Sequence, residues 1–192
     1  MAHRIYTGEG VVLKKEGVGE KSLSALMLTP EFGLVRVRAQ GARGSEGKLR
    51  AALEPMTFGV FSFVSGRYGA RLVGAQAHEH LLPLHLHAAR GAVGNITRLL
   101  VRLLPGEEGH PALFAAIVDG FRYMRASSEI QIPHAECALV LRILRELGYL
   151  PEDPLLARFA EGSLSEKLLS ELEQIKPHAI RTINQVLSST GL

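Results

Sequence analysis

The sequence has little that could support redox, disulfide or membrane chemistry. Among its 192 residues there is one cysteine, Cys137, and there is no tryptophan. A single cysteine excludes an intramolecular disulfide and a metal cluster built from several thiolates, and it is typical of a reducing environment. No apolar run is long enough to cross a membrane, and residues 1–4 are not followed by the apolar core of a signal peptide. We therefore expect a cytoplasmic protein without membrane contact.

Motifs of catalysis are missing as well. The sequence contains neither a glycine-rich phosphate loop ending in Lys-Ser/Thr nor a Gly-x-Ser-x-Gly elbow. Cys137 lies in an apolar segment, which predicts a buried and unreactive thiol. Four histidines lie close together in the sequence: His78, His80, His85 and His87. Glu79 is the one carboxylate among them, and strand alternation points it away, so we expect neither a metal nor a cofactor. The protein is predicted not to be an enzyme.

Charge is unevenly distributed along the chain. The formal net charge is +3, but residues 1–80 contain 11 Lys and Arg against 7 Asp and Glu, whereas residues 81–192 contain 11 against 12. The basic excess therefore belongs to the first part, which is where a polyanion would bind.

Residues 1–80 have the pattern of short strands separated by glycine turns. We expect strands over residues 5–13, 22–28, 34–40, 56–64 and 70–78, with a charged turn at 14–21 and a hairpin turn at 65–69. Phe58, Phe61 and Phe63 are predicted to fill the interior. Five strands in about 75 residues favour an oligonucleotide-binding (OB) fold, a small five-stranded barrel.

From residue 81 onward the apolar spacing changes to three and four, which is typical of helices. Residues 84–104 predict one helix, or a pair broken around Gly91 and Gly94. Further helices are expected over 111–125 and 133–148, with the second placed centrally in a bundle. Ser163 to Glu166 has the spacing of a capping box, and Pro177 is expected to break the helix that follows. The overall prediction is an α+β protein with an OB domain at 1–80 and an all-α domain at 81–192.

The strongest functional signal is the stretch 34–50. Val35, Val37 and Ala39 alternate with Arg36 and Arg38, so the arginines share the outer face of a strand. A glycine- and serine-containing loop with further cations follows. Such an arrangement suits a nucleic-acid backbone, although a solvated strand face remains the alternative. The cationic residues predicted to contact phosphates here are Arg36, Arg38, Arg43, Lys48 and Arg50.

Two other places could extend this basic track. Lys14 and Lys15 flank the first turn and are either DNA contacts or solvated. At the hairpin tip, Tyr68 lies between Arg67 and Gly69, with Arg71 nearby, and an aromatic ring beside cations can stack on a base. The alternative for Tyr68 is packing on its own hairpin.

Several of these segments together resemble the RecO family of bacterial recombinational repair proteins. The motifs that carry the resemblance are Gly10-Val11-Val12-Leu13-Lys14, Phe32-Gly33-Leu34-Val35-Arg36, Gln40-Gly41-Ala42-Arg43, Leu53-Glu54-Pro55-Met56-Thr57, Gly66-Arg67, Leu141 to Pro151 and, more weakly, Ile180 to Leu187. Their order and spacing cover most of the chain.

The resemblance implies an N-terminal OB barrel, a helical C-terminal domain and a function without bond chemistry. Family members bind single- and double-stranded DNA, anneal complementary strands, and act with RecR to load RecA on DNA coated by single-stranded DNA-binding protein. They also bind the acidic, phenylalanine-ended tail of that coating protein. Nucleoid association of a cytoplasmic protein would follow.

The helical half offers candidates for that tail. A hydrophobic groove rimmed by arginines would suit an acidic peptide, and Arg142 and Arg145 are three apart on one helical face. Ordinary surface arginines are the alternative. The candidates for partner binding are Arg122, Arg125, Arg142 and Arg145.

One departure from the family pattern is plain. Many members carry a four-cysteine zinc cluster after the segment that corresponds to Gly148-Tyr149-Leu150-Pro151, whereas here Pro154 leads to Leu155 without a cysteine. A zinc site of that type is therefore not expected. Two other functions remain open: a generic single-stranded DNA- or RNA-binding module without a mediator role, and a structural protein whose barrel binds another protein.

Overall fold

The computed structural model describes residues 5–18, 22–40, 48–66, 69–81, 87–104, 106 and 108–189. The chain forms two compact units. The first comprises residues 1–81 and 104–114, and the second comprises residues 82–103 and 115–192. The predicted domain boundary after residue 80 stays a prediction.

The first unit is built on five strands that close into a ring. The strands are β1 (Ile5–Val18), β2 (Ser22–Thr29), β3 (Gly33–Ala39), β4 (Thr57–Gly66) and β5 (Gly69–His80). They follow one another around a closed barrel in the order β1-β2-β3-β5-β4. All neighbours are antiparallel except β3 and β5. The long β1 closes the ring because its first half pairs with β4 and its second half with β2, and Val11 pairs with both strands. The predicted OB-type barrel followed by helices is confirmed.

Alternation along the strands fills the barrel. Successive side chains of a strand point to opposite faces, so every second residue is available for the interior. Phe61 and Phe63 belong to this core, together with Val12, Met27 and Val37. Phe58 is also buried, but it is not part of that cluster. Its ring lies 6.4 Å from the ring of Phe114 and 5.9 Å from that of His78.

The first strand is longer than its sequence indicates. Residues 14–18, predicted as part of a charged turn, continue β1 and pair with Ser22 to Leu26 of β2. A bulge between Val12 and Lys14 re-aims the strand at this point. Cross-strand hydrogen bonds therefore overrode the weak strand preference of the lysines and glycine. The short helix α1 (Lys48–Ala52) between β3 and β4 was also not predicted.

The β2–β3 turn is held by a later part of the chain. Gly33 has φ 59°, and a Cβ at this position would lie 2.2 Å from the carbonyl oxygen of Glu108. At Gly109 a Cβ would lie 2.4 Å from the carbonyl oxygen of Glu31. Both glycines are thus required by close backbone approach. Residues 104–114 consequently fold with the barrel although they follow a helix of the other unit.

Beyond α1, the helices in the described residues are α2 (His87–Leu103), α3 (Pro111–Ala126), α4 (Ile132–Glu146), α5 (Pro154–Ala157) and α6 (Glu166–Ser189). Of the two alternatives for the first of these, the single helix is the one observed, because α2 continues through Gly91 and Gly94. In the second unit α4 packs against both α2 and α6, as its apolar surface predicts. Gly148, just past its end, has φ 73°, in the left-handed conformation that commonly ends a helix.

Two expectations for α6 are wrong. Its N-terminal capping residue is Ser165 rather than Ser163, because the Oγ of Ser165 accepts a hydrogen bond from the backbone N–H of Leu168 at 3.3 Å. The helix also continues through Pro177 to Ser189. Its buried stripe resumes beyond the proline with Ala179, Ile183 and Val186, and this packing offsets the one backbone hydrogen bond that proline cannot donate. None of the described helices is both long and apolar enough to cross a membrane.

Candidate nucleic-acid interface

The outer face of β3 is basic, as the alternation predicts. Val35, Val37 and Ala39 are at most 2% exposed and face the barrel core. Arg36 and Arg38, which alternate with them, are exposed. The apolar residues thus hold the strand in one register, and this register keeps both guanidinium groups on the outside.

The neighbouring strand brings a third arginine to this face. In the parallel pairing of β3 with β5, Arg38 is the direct partner of Arg71. Adjacent strands are about 4.8 Å apart, and like charges directly opposite each other are destabilising. Within the described residues neither arginine forms an ion pair with an acid. Such a pair attracts an anion that can lie between the two side chains.

One acidic side chain shares the surface with these arginines. Glu16 is the only acidic residue among residues 14–18, 22–28 and 34–38, all of which the structure describes. One of its carboxylate oxygens lies 2.6 Å from Nζ of Lys14, and the other lies 3.4 Å from a guanidinium nitrogen of Arg36. The hydrogen bond and charge of Lys14, and to a smaller degree Arg36, lower the pKa of Glu16. The carboxylate therefore stays ionised and partly neutralises both cations.

Lys15 has a different environment from Lys14. It is paired with Ala25, whose side chain faces the barrel core, so alternation turns Lys15 away from the arginine-bearing face. Its Nζ donates a hydrogen bond of 2.5 Å to the carboxylate of Glu54, and the lysine side chain is only 22% exposed. Lys15 is thus held in an ion pair, and of the two lysines only Lys14 lies beside Arg36.

Several predicted DNA contacts cannot be placed. Arg43, Arg67 and Tyr68 lie outside the described residues, as does the side chain of Lys48. Arg50 is described, and it is exposed on α1. The structure thus brings together Lys14, Arg36, Arg38 and Arg71, and we call these four residues the basic barrel face.

One predicted arginine of the helical unit is buried. Arg142 is 3% exposed, so it does not lie on the surface as part of a groove rim. Its Nε and one terminal nitrogen donate hydrogen bonds to the carbonyl oxygens of Phe159 and Glu161 at 3.3 and 3.2 Å. Burial lowers the pKa of this guanidinium. Arg142 therefore fixes the backbone that follows α5.

The three other arginines of this group are exposed. Arg145 forms an ion pair with the carboxylate of Glu161 and lines a groove of about 330 Å³ with Leu150, Pro151 and Pro154. Arg122 lies 3.4 Å from Asp119, one helical turn earlier. Arg125 is exposed near the end of α3. The four predicted residues therefore do not form a single rim.

The thiol and histidine predictions have separate outcomes. Cys137 is buried, as expected, and burial raises its pKa to about 11. Among the described residues no group of His, Cys, Asp and Glu has the geometry of a metal site. Glu16 was not predicted. The signal that could have identified it is its position two residues after Lys14, which places the two side chains on one face once the strand is known to continue.

Comparison with known proteins gives a consistent result. Residues 1–78 match the family described as "Recombination protein O N terminal". The chain is 28% identical over 150 residues to the DNA repair protein RecO of Heliobacterium modesticaldum, covering 78% of this chain and 54% of that protein. It is 27% identical over 149 residues to RecO of Thermodesulfovibrio yellowstonii, covering 77% and 59%. The chain thus spans little more than half the length of these relatives. The predicted resemblance to the RecO family is confirmed.

Proposed function

We propose that this chain, which resembles RecO over most of its length, is a DNA-binding and strand-annealing protein of recombinational repair. The observation that supports this best is the basic barrel face, above all the register pairing of Arg38 with Arg71 on two neighbouring strands. An OB-type barrel with cations on the outer face of its strands commonly binds single-stranded nucleic acid. The function requires no bond chemistry and no cofactor.

Binding would be electrostatic at the barrel. A phosphate between Arg38 and Arg71 relieves the repulsion between two guanidinium groups, and each guanidinium can donate two parallel hydrogen bonds to phosphate oxygens. Contacts of this kind position the backbone without reading sequence. Binding should therefore depend strongly on salt and little on base composition.

Annealing would follow from the same chemistry. Two complementary strands repel each other through their phosphates, and cations that neutralise part of that charge raise the rate of encounter. Because the protein holds the backbone, the bases remain available for pairing. Loading a recombinase on DNA coated by single-stranded DNA-binding protein would be the biological use of this activity.

Partner binding is assigned to the helical unit. We propose that the exposed residues Arg122, Arg125 and Arg145 are candidate contacts for the acidic tail of single-stranded DNA-binding protein, with Arg142 positioning the backbone after α5 from inside. A partnership with RecR and association with the nucleoid are proposed from the family resemblance alone.

The test is a double charge reversal on the barrel, Arg38→Glu with Arg71→Glu. We expect affinity for a labelled single strand to fall about 100-fold, because two charge-assisted contacts become repulsive. The slope of log affinity against log salt should flatten by about 0.7 for each lost phosphate contact. Affinity is measured by fluorescence anisotropy at several salt concentrations, and annealing by energy transfer between dye-labelled complementary strands.

The matched control reverses the same charge elsewhere. Lys167 and Arg181 are exposed on α6, and Lys167→Glu with Arg181→Glu should leave affinity within a few-fold of that of the original protein. If the barrel variant binds as tightly and with the same salt slope as the control, the proposed interface is wrong. Binding without any acceleration of annealing would favour a generic nucleic-acid-binding module instead.

A further inference from the structure

The exposed face of α2 carries three arginines. Arg90, Arg98 and Arg102 are exposed, and at about 100° per residue they fall within a sector of about 120° of the helix surface. The opposite side carries the buried residues of α2, and all of them are apolar. The helix contains no acidic residue at all. We call Arg90, Arg98 and Arg102 the α2 arginine face.

The hydrogen-bond partners of two of these arginines are neutral side chains. Arg90 contacts the imidazole of His87 at 3.2 Å, and Arg98 donates to the side-chain carbonyl of Asn95. Within the part of the chain that the structure describes, none of the three forms an ion pair with an acid. The carboxylate of Glu136 accepts a hydrogen bond of 2.7 Å from Asn95. Unlike Arg142, Arg145 and Arg122, these side chains have charge available for a partner.

Two glycines on the same face give an independent indication. A Cβ at Gly91 would meet no atom within 4 Å, and a Cβ at Gly94 would meet only the end of the Arg98 side chain at 3.7 Å. Nothing in the described structure requires either glycine, although glycine inside a helix lowers stability relative to alanine. Because neither glycine has a side chain, a ligand can approach the helix backbone closely between Arg90 and Arg98.

We propose that the α2 arginine face binds the phosphate backbone of a second nucleic-acid strand, separately from the strand bound by the basic barrel face. Arg90 and Arg102 are separated by about 18 Å along the helix axis, from the rise of about 1.5 Å per residue. A row of this length suits a linear polyanion better than a single phosphate or carboxylate. The inference rests on the proposed function, since annealing requires two strands and the barrel face accounts for one.

The test is the double substitution Arg90→Gln with Arg102→Gln, which removes two charges and keeps good helix formers. The measurement is energy transfer between two non-complementary strands, one with a donor dye and one with an acceptor, so that base pairing cannot bring them together. We expect wild-type protein to bring the two strands together and the variant to lose at least two thirds of that signal. Annealing should slow about tenfold, while affinity for one strand alone should fall no more than threefold.

The matched control is Lys167→Gln with Arg181→Gln, which removes the same charge from α6 and should preserve the energy transfer. An unchanged two-strand signal in the α2 variant would overturn the inference and leave this face to an acidic protein. Loss of single-strand affinity beyond tenfold would also overturn it, because α2 would then hold the first strand. Failure of the proposed function is distinguishable, since in that case the wild-type protein itself would bind no DNA at low salt.

Discussion

Two arginines on the barrel and one inside the helical unit have contrasting environments. On the barrel, Arg38 and Arg71 are exposed and face each other across neighbouring strands, with no carboxylate in an ion pair among the described residues. In the helical unit, Arg142 is 3% exposed and bound to two backbone carbonyls. Both environments are unfavourable for the charge, one through repulsion and the other through desolvation.

The difference separates two arginines that are proposed to bind a ligand from one that supports the fold. Hydrogen-bond partners decide it: Arg142 has its partners within the chain, whereas an anion from outside would satisfy Arg38 and Arg71. Substitution of Arg142 should therefore change the free energy of unfolding, whereas substitution of Arg38 or Arg71 should change DNA affinity.

The largest effect is expected from Arg142→Met. The carbonyl oxygens of Phe159 and Glu161 would lose their charged donor in the interior, and each buried hydrogen bond to a charged group contributes about 1.5–3 kcal/mol. We expect the free energy of unfolding to fall by about 3 kcal/mol, measured by urea denaturation followed with circular dichroism. DNA affinity of the folded fraction should not change.

Arg145→Met is the matched comparison for this variant. Arg145 is on the same helix, but its ion pair with Glu161 is exposed. Exposed pairs contribute about 0–1 kcal/mol. If the two variants are equally stable, the structural role given to Arg142 is wrong.

A smaller change of opposite sign is expected on the barrel from Glu16→Gln. On the proposed DNA-binding face Glu16 would compete with phosphate for Lys14 and Arg36, so its neutralisation should raise DNA affinity about threefold and steepen the salt dependence. Fluorescence anisotropy at low salt measures this change. Glu9→Gln, an exposed acid on the same strand, is the control. An affinity for Glu16→Gln no higher than that of the control would show that the ion pairs with Lys14 and Arg36 do not oppose binding.

The smallest effect concerns the pH dependence of the helical unit. The side chain of Asp153 accepts a 2.7 Å hydrogen bond from His178 and another from the backbone N–H of Leu155, and both lower its pKa from the usual 3.8. A carboxylate whose pKa is lowered in the folded state adds stability above the unfolded value, and this stability is lost as the pH falls through the folded value. Stability should therefore decline slightly below about pH 4.

Asp153→Asn isolates that contribution. Asparagine still caps α5, but it does not titrate, so the acid-induced loss of stability below pH 4 should be shallower than in the original protein. Urea midpoints at pH 3 and pH 6 measure the difference. Identical pH profiles for the two proteins would exclude a contribution from Asp153.

Local patterns predicted much of the barrel and part of the site. The alternation at residues 34–39 predicted both the strand and the outward position of Arg36 and Arg38, because a period of two depends only on neighbouring residues. The pairing of Arg38 with Arg71 was beyond prediction. It depends on how β3 and β5 come together, although they lie more than thirty residues apart in the sequence.

The misjudged features have non-local causes too. The sequence predicts a surface position for Arg142 because arginine side chains usually lie at the surface. Its burial is explained by the carbonyl groups after α5, which accept its hydrogen bonds. The sequence predicts a turn at residues 14–18, but in the structure their backbone pairs with β2. The sequence predicts that Pro177 ends the helix. In the structure α6 continues beyond it, because Ala179 and Ile183 are buried on the far side of the proline.

The close approach of Gly33 to Glu108 and of Gly109 to Glu31 has a consequence for anyone who wishes to divide this protein. The chain passes from the first unit to the second after residue 81, returns at residue 104 and leaves again after residue 114. A fragment ending near residue 80 would therefore lack the piece that closes over the β2–β3 turn and covers Phe58. Residues 104–114 thus belong to the same compact unit as residues 1–81. A recombinant barrel should accordingly be designed to retain residues 104–114, joined by a linker that replaces α2.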